Sequence, residues 1–305
     1  MKIPKSSANV DEIVHFYLHS PAFARLSGRS QRDYEAQLKA VCDTIVDGRR
    51  LGVFRNGTVR VAHLTQAYDK WLETGVPTAN ARRAVLSAAW KHAMRHDVMI
   101  HNPVALVKTV SSPPRRVKWE REHVKRFLDT AYSDFRWRSI GLLVHMAYDW
   151  GQRVGDMRLL TWDTLDLQGC RMNLKQSKRG AEVFLPISEG LCSMLRQQRN
   201  DFEGISKYVA PRSKPRAGRY TPYEPREVST YVNEVLEAAD LPRELQASDL
   251  RRTAVTEMME GGVDVAGIMQ VTGHKNIASV KPYMVNTYSG ATKALAARGN
   301  EDAEN

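Results

Sequence analysis

The sequence contains few cysteines and no long apolar segment. Cys42, Cys170 and Cys192 are widely spaced and odd in number, which argues against a disulfide framework and against a zinc site. No stretch of about 18 apolar residues occurs, so we expect no transmembrane span. The N-terminal segment also lacks the apolar run of a signal peptide. We therefore expect a cytoplasmic protein with no membrane partner.

The sequence also lacks two motifs, one that binds nucleotide phosphates and one that binds a pair of metal ions. There is no glycine-rich phosphate loop of the Walker type, so ATP is not expected as a cofactor. No cluster of carboxylates suited to two metal ions accompanies the residues described below. We therefore predict that the protein needs neither a cofactor nor a metal.

Positive charge is what the sequence has in excess. Its 305 residues include 45 Lys plus Arg against 34 Asp plus Glu, a formal net charge of +11. Such an excess indicates a polyanionic partner, with nucleic acid the first candidate and an acidic membrane surface the second. The length suits about two domains, and 42% hydrophobic with 26% charged residues is typical of a globular chain.

The first part of the chain, residues 1–107, has the apolar periodicity of short helices. Tyr34, Leu38, Val41 and Ile45 recur at helical spacing, and we expect Ser30 to cap this helix and Gly48 to end it. A second helix is predicted from about residue 78 to 95. Its cations lie largely off the apolar face, where they form either a solvated surface or a phosphate-binding one: Arg82, Arg83, Lys91 and Arg95.

A connector rich in proline and arginine follows at residues 108–117. The sequence SSPPRRVK resists both helix and sheet, which indicates a linker between two domains. The cations Arg115, Arg116 and Lys118 would suit a linker that crosses a nucleic-acid backbone.

Residues 118–290 predict a second domain, and 291–305 a polar C-terminal tail. Helices are expected at 119–131, at 140–150, from Arg153 through 162, after Ser188 and after Glu224. Residues 171–187 contain two short runs separated by SKRG and predict a β-hairpin. Between the last two helices lies a long basic loop, which is expected to be mobile and carries the cations Lys207, Arg212, Lys214, Arg216 and Arg219.

Four short stretches of this second domain occur in a telling order. They are WGQRVGDMRLLTW (150–162), QSKRG (176–180), SDLRRT (248–253) and GHKNIASVKPYMV (273–285). Together they resemble the catalytic domain of the tyrosine recombinase (phage integrase) family, and YEAQLKAV and ARRAVLSAAWKHAMRHDVMIHNP are more loosely similar to its helical core-binding domain. The resemblance implies a mainly α fold with a small β-sheet, made of a helical, SAM-like core-binding domain and an α+β catalytic domain. Because the core-binding similarity begins close to Val10, no further N-terminal arm-binding domain is expected.

The resemblance assigns a role to each matching position. Arg153 and Arg251 correspond to the two arginines, Lys178 to the hairpin lysine, His274 to the Gly-His position and Tyr283, nine residues on, to the nucleophile. Asp156 corresponds to an acidic residue that would orient an arginine, although a surface role fits it nearly as well. Lys175 is a rival for the hairpin lysine, and Tyr288 is a less well spaced rival for the nucleophile.

One position departs from the family pattern. Where the family most often has histidine in His-x-x-Arg, this chain has Ser248. That histidine helps to hold the scissile phosphate and assists proton transfer, whereas a serine hydroxyl can donate a hydrogen bond but does not titrate near neutral pH. The departure puts the efficiency of the reaction in doubt more than its type.

The chemistry expected of these residues is strand transfer at a DNA phosphodiester. Two guanidiniums can clamp the non-bridging oxygens, a tyrosine can attack phosphorus to form a 3′-phosphotyrosine, and a lysine can protonate the leaving 5′-oxygen. We expect a recombinase that integrates or excises a phage or mobile element as a homotetramer on double-stranded DNA, with a free monomer and an accessory DNA-bending protein left open. The expected location is the nucleoid of a bacterial host cell. A type IB topoisomerase and a catalytically weak or silent DNA-binding relative are the alternatives.

Overall fold

The computed structural model describes residues 7–113, 115, 117–177, 180–281, 291–292 and 295–296. The chain divides into two compact units, Met1–Pro114 and Arg115–Asn305. Both are built mainly from α-helices with small antiparallel sheets, which confirms the predicted fold class. In the described part of the chain, no helix has the length and apolar character needed to cross a membrane. The finer boundaries at 107, 117 and 290, and the function of each part, stay predictions.

The first unit is a helical bundle with one two-stranded ribbon. Its elements are α1 (Val10–Leu18), α2 (Pro21–Ala24), α3 (Gly28–Asp43), β1 (Ile45–Val46), β2 (Arg49–Arg50), α4 (Val61–Leu72) and α5 (Val76–Met94). The predicted apolar face of α5 is buried, with Leu86, Ala89, Trp90 and Ala93 fully enclosed. Burying a side chain of this kind contributes about 2 kcal/mol for leucine and more for tryptophan, so this face anchors α5 to the core.

Helix α3 begins and ends earlier than the sequence predicts. Its cap is Ser27, whose side chain accepts from the backbone N–H of Ser30. The helix ends at Asp43, and Ile45 lies in β1 instead of on the helical stripe. Asp47 and Gly48 both have positive φ, of 47° and 74°, so this Asp-Gly pair forms the two-residue turn of a β-hairpin and not a helix stop.

The second unit packs helices around a central apolar helix and a small sheet. Its elements are α6 (Arg121–Ser133), α7 (Phe135–Asp149), α8 (Val154–Met157), β3 (Leu165–Asp166), β4 (Arg171–Lys175), β5 (Glu182–Pro186), α9 (Glu189–Phe202), α10 (Pro225–Ala238), α11 (Leu250–Glu260) and α12 (Val265–Thr272). Helix α7 is buried along most of its length, with Ile140, Leu143 and Ala147 fully enclosed. It therefore positions the chain that leaves its C-terminal end at Trp150.

The predicted hairpin is confirmed and belongs to a three-stranded antiparallel sheet. Strands β4 and β5 pair with Asn173 opposite Phe184, and β3 pairs with the other edge of β4. Met172 and Leu174 point inward while their neighbours are exposed, as the two-residue period of a strand requires. The sequence did not predict β3, which is only two residues long.

One further prediction for this unit is corrected. The helix that opens after Arg153 ends at Met157 and does not run through Trp162, because the chain there bonds to a neighbouring segment instead. The N–H of Trp162 donates to the carbonyl of Lys207, and the N–H of Val209 donates to the carbonyl of Leu160. The basic loop after residue 207 is itself organised as an arm by isolated antiparallel bridges, Pro211 with Pro222 and Arg216 with Arg219. That this loop is mobile stays a prediction.

The cysteines are free thiols, and two of them are neighbours in space. The Sγ atoms of Cys170 and Cys192 lie 2.9 Å apart, and Cys42 is buried in the other unit. Burial and the neighbouring Asp11 raise the pKa of the Cys42 thiol to about 12, so it stays protonated at neutral pH.

Candidate active site

Arg153 stands at the start of α8, in the turn that follows α7. Its backbone is extended at the N-cap of α8, and its side chain is partly exposed. The Nη1 atom donates to Oε1 of Gln176 at 3.2 Å and lies 3.6 Å from Oδ2 of Asp156. The guanidinium is therefore held from two sides while part of it still faces solvent, as a phosphate ligand requires.

Arg251 lies at the start of α11 and is only 5% exposed. Its Nη1 donates to the carbonyl of Gly151 at 3.1 Å, and its Nη2 donates to the carbonyl of Thr272 at 2.8 Å. The same Nη2 lies 3.0 Å from Nε2 of His274. These contacts join the turn before Arg153, the start of α11 and the end of α12, so residues from three distant stretches of the sequence meet here.

His274 is buried beside Arg251, and its surroundings assign its tautomer. A guanidinium nitrogen can only donate, so Nε2 of His274 accepts from Arg251 and the ring proton lies on Nδ1. The Nδ1 proton is then donated to Oγ1 of Thr272 at 2.7 Å, and Oγ1 in turn donates to the carbonyl of Ile268. The imidazole orients Arg251 in this arrangement. A cavity of about 390 Å³ opens beside it, between the hairpin loop and the end of α12.

Asp156 is buried in α8 and contacts both Arg153 and the hairpin. Its Oδ1 accepts from the backbone N–H of Ser177 at 3.1 Å and from the Ser177 hydroxyl. The side chain is 2% exposed, so the surface role left open for it does not fit this geometry. The predicted role in orienting an arginine stays a prediction.

Ser248 lies in a 3-10 turn directly before α11, and its side chain is exposed. Its hydroxyl has one long contact, to Oε1 of Gln246 at 3.4 Å. The hydroxyl can therefore turn towards a ligand at little cost. Lys175, the rival hairpin lysine, is exposed at the end of β4. Lys178, Tyr283, Tyr288 and Arg116 lie outside the described residues.

The buried polar residues Gln152 and Gln176 were not predicted. Gln176 donates through Nε2 to Oε1 of Gln152 at 2.6 Å, and both side chains are almost fully enclosed. One signal could have found Gln176, because it continues the inward-facing series Met172 and Leu174 at two-residue spacing. A polar residue at such a position usually has a buried partner.

The predicted DNA-binding cations fall into two groups. The side chains of one group already have partners within their own unit: Arg82, Arg83, Arg115, Lys118 and Arg212. The side chains of the other group are exposed: Lys91, Arg95, Lys214 and Arg216. The second group is better suited to phosphate contacts, because a cation of the first group must first give up a hydrogen bond or an ion pair that it already makes.

Arg115 is the clearest case of an engaged cation. Its Nε lies 3.0 Å from both carboxylate oxygens of Asp249, and its Nη2 also donates to the carbonyl of Glu244. The hydrogen bond to Asp249 is the main reason that the pKa of Arg115 is raised. Asp249 is only 3% exposed and stands between Ser248 and Leu250, directly before Arg251. This geometry favours an anchor for the start of α11 over a phosphate contact.

Arg115→Ala is therefore expected to lower the free energy of unfolding by about 2 kcal/mol, because it leaves a buried carboxylate without its cation. The matched control is Lys118→Ala, since Lys118 forms only longer, partly exposed contacts to Glu120 and Glu260. That variant should change stability by less than about 0.5 kcal/mol. Urea denaturation measures both. Equal losses of stability would contradict the anchoring role of Arg115.

Within the described residues, no group of three or more His, Cys, Asp or Glu side chains is arranged to hold a metal ion. The hydrogen-bonded cluster around Arg153, Arg251 and His274 contains two guanidiniums. Such donors bind the oxygens of a phosphate in a fixed geometry.

Comparisons with known proteins agree with this fold. The tyrosine recombinase XerC of Chromohalobacter salexigens is 26% identical over 210 residues, covering 66% of this chain and 67% of its own. The integrase of Enterobacteria phage 434 is 28% identical over 111 residues, which are 36% of this chain and 30% of its own.

Solved integrase structures share the fold. A lambda integrase dimer bound to a COC′ core site superposes with a TM-score of 0.73 at 19% identity, covering 91% of this chain and 77% of its own. The integrase of transposon Tn1549, in complex with a circular intermediate DNA, gives 0.74 at 15% identity and covers 95% and 100%. The sequence profile of the phage integrase family matches residues 119–289, which is more than half of the chain. The chain therefore belongs to the phage integrase family, as its sequence predicts, and its enzyme class is that of the tyrosine-type DNA recombinases.

Proposed function

We propose that this chain cleaves and rejoins DNA strands at specific sites through a covalent 3′-phosphotyrosine on Tyr283. The observation that carries the proposal is the cluster in which Arg153 and Arg251 are held together beside His274. Two fixed guanidiniums stabilise the extra negative charge of a pentavalent phosphorus, which is the main requirement for this transesterification.

The proposed reaction conserves the phosphodiester energy. The Tyr283 hydroxyl gives its proton to water and attacks phosphorus, the bond from phosphorus to the 5′-oxygen breaks, and Lys178 or Lys175 donates a proton to that oxygen. In the second step a 5′-hydroxyl of another strand gives up its proton and attacks the same phosphorus. The bond from phosphorus to the Tyr283 oxygen then breaks, and that oxygen takes up a proton. Ser248 would donate a neutral hydrogen bond to a non-bridging oxygen, and Asp156 would support Arg153.

The proposed setting is a bacterial cell in which a phage or mobile element is integrated or excised. The assembly on DNA is supported by solved lambda integrase structures of this fold, one a dimer bound to a core site and one a tetramer bound to a Holliday junction. We propose double-stranded DNA as the partner and a homotetramer on DNA as the active assembly.

The test begins with the DNA target. Genomic fragments retained by the purified protein are sequenced, and a duplex of the shared site is made with a nick beside the scissile phosphate. A recombinase will accumulate a covalent adduct on this suicide substrate. The short strand between the scissile phosphate and the nick diffuses away with its free 5′-hydroxyl, so cleavage is not reversed. A silent DNA-binding relative will bind the duplex without an adduct. Strand exchange between two intact duplexes separates a recombinase from a topoisomerase.

The departure at Ser248 gives a graded expectation. Ser248→Ala is expected to slow cleavage about fivefold, because a neutral hydrogen bond to a developing anion contributes about 1 kcal/mol. Ser248→His should keep or raise the rate and add a titration near neutral pH. Single-turnover cleavage from about pH 6 to 9 measures all three proteins. If histidine inactivates the enzyme, Ser248 does not take the place of the family's histidine.

A further inference from the structure

The side-chain amide of Gln176 lies between the two arginines of the candidate site. Gln176 follows β4 and is 1% exposed. Its backbone closes the hairpin loop, since its N–H donates to the carbonyl of Ala181 and its carbonyl accepts from the N–H of Gly180. The position of this side chain is therefore determined by the sheet and not by a free loop.

Each end of this amide contacts a different arginine or the group that holds it. The Oε1 atom accepts from Nη1 of Arg153 at 3.2 Å. The Nε2 atom donates to the carbonyl of Thr272 at 2.8 Å, and the same carbonyl accepts from Nη2 of Arg251, also at 2.8 Å. One amide and one carbonyl thus connect the guanidinium of Arg153 to that of Arg251.

The orientation of the Gln176 amide follows from its neighbours. Gln152 is fully buried, and its Nε2 donates to the carbonyls of Trp150 and Val271, so its Oε1 remains to accept. The two groups on this side of Gln176, Oε1 of Gln152 and the Thr272 carbonyl, are both acceptors. Nitrogen must therefore face them, which leaves the Gln176 oxygen facing Arg153.

Gly273 keeps the amide in this place by close packing. A Cβ atom at Gly273 would lie 2.7 Å from Nε2 and 2.9 Å from Cδ of Gln176, and Gly273 has a φ of +68°. A side chain at this position would therefore be strained and would displace the Gln176 amide as well.

We propose that Gln176 is a positioning residue, which holds Arg153 and Arg251 at the spacing of a single phosphate group. The inference rests on the proposed function, since it assigns the two arginines to the scissile phosphate. The amide fixes Arg153 before DNA binds, so the two arginines, which we call the arginine clamp, need not reorganise when negative charge develops on phosphorus. The defect of a Gln176 variant should therefore depend on the negative charge of the phosphate.

The experiment compares two substrates that differ only in that charge. One suicide substrate carries a normal scissile phosphodiester, and the other carries a neutral methylphosphonate there. The variants are Gln176→Met, which removes both hydrogen-bonding ends, and Gln176→Asn, a neutral change that keeps the amide but is one methylene too short to reach both partners. The control is Asn173→Met, at an exposed position of β4, the strand that Gln176 follows. Circular dichroism and gel shift show that each protein is folded and binds DNA.

We expect both Gln176 variants to bind DNA within about twofold of the wild type and to cleave the phosphodiester at least about tenfold more slowly. On the methylphosphonate the slowing should shrink to less than about threefold, because the charge that the clamp neutralises is gone. Asn173→Met should match the wild type on both substrates. If Gln176→Met fails to fold, the ratio for Gln176→Asn decides.

Equal slowing on the two substrates would overturn the inference and leave Gln176 as a general packing residue. Unchanged rates in both variants would overturn it too. A wild-type protein that forms no adduct with the phosphodiester would refute the proposed function instead, and that result appears without any variant.

Discussion

Tyr283→Phe is expected to abolish covalent attachment to DNA. The substitution removes one oxygen atom, which is the nucleophile of the proposed reaction, so no phosphotyrosine can form at this position. Non-covalent affinity for the site should stay within about twofold, because the phosphate contacts belong to other residues. The measurement is a denaturing gel of the suicide-substrate reaction beside a gel shift of the same samples.

Tyr288→Phe is the matched control for this experiment, since it makes the same chemical change five residues further along the chain. It should form the adduct at the wild-type rate. An adduct with Tyr283→Phe and none with Tyr288→Phe would reverse the assignment of the nucleophile.

Arg153→Ala and Arg251→Ala should each slow cleavage by at least about 100-fold, on the scale of losing a transition-state donor worth about 3 kcal/mol. Both variants should also lower the free energy of unfolding, for different reasons. Arg251 is buried, and its loss removes one donor from the carbonyl of Gly151 and one from that of Thr272. Arg153 is partly exposed, but its loss leaves the buried Asp156 carboxylate without its nearby cation. Single-turnover cleavage and urea denaturation separate the two effects.

Arg158 and Arg252 are the sequence neighbours that serve as controls. Arg158 donates to the carbonyl of Tyr223 at 2.6 Å, so Arg158→Ala should affect stability more than the chemical step. We expect Arg252→Ala to cleave at close to the wild-type rate. Equal catalytic defects at all four arginines would mean that a DNA-binding surface has been interpreted as an active site.

The sequence predicted the order of the site residues but not the contacts that unite them. The motifs around Arg153, Arg251 and His274 are visible because each is short and local. Gln152 and Gln176 carry no such motif, and their importance lies in hydrogen bonds to residues far away in sequence. Gln176 and Thr272, for example, are separated by 96 positions. Only the folded structure shows that the inward-facing Gln176 forms hydrogen bonds with Gln152, Arg153 and the Thr272 carbonyl.

The sequence also did not show which cations are paired within the fold and which are exposed. Arg115 and Arg216 look alike in a basic, proline-rich context, yet one is paired with a buried carboxylate 134 residues away and the other is exposed. The prediction of local structure was wrong where elements of only two residues occur, as at Asp47 and Gly48. A glycine after a helical stripe indicates the end of a helix as readily as the turn of a hairpin, so the sequence alone does not distinguish the two. Long periodic helices such as α5 were predicted nearly to their ends, since burial of one face dominates their stability.

The packing of Gly273 against Gln176 limits how this recombinase can be re-engineered. A mutant library screened for new DNA targets should keep position 273 fixed, because any side chain there meets both a left-handed backbone and the amide behind it. Gly48 also has a positive φ, but nothing lies within 4 Å of its missing Cβ, so asparagine is a tolerable choice there. The positions to vary in such a library are therefore the exposed cations of α5 and of the 211–222 arm, which lie far in sequence from Gly273.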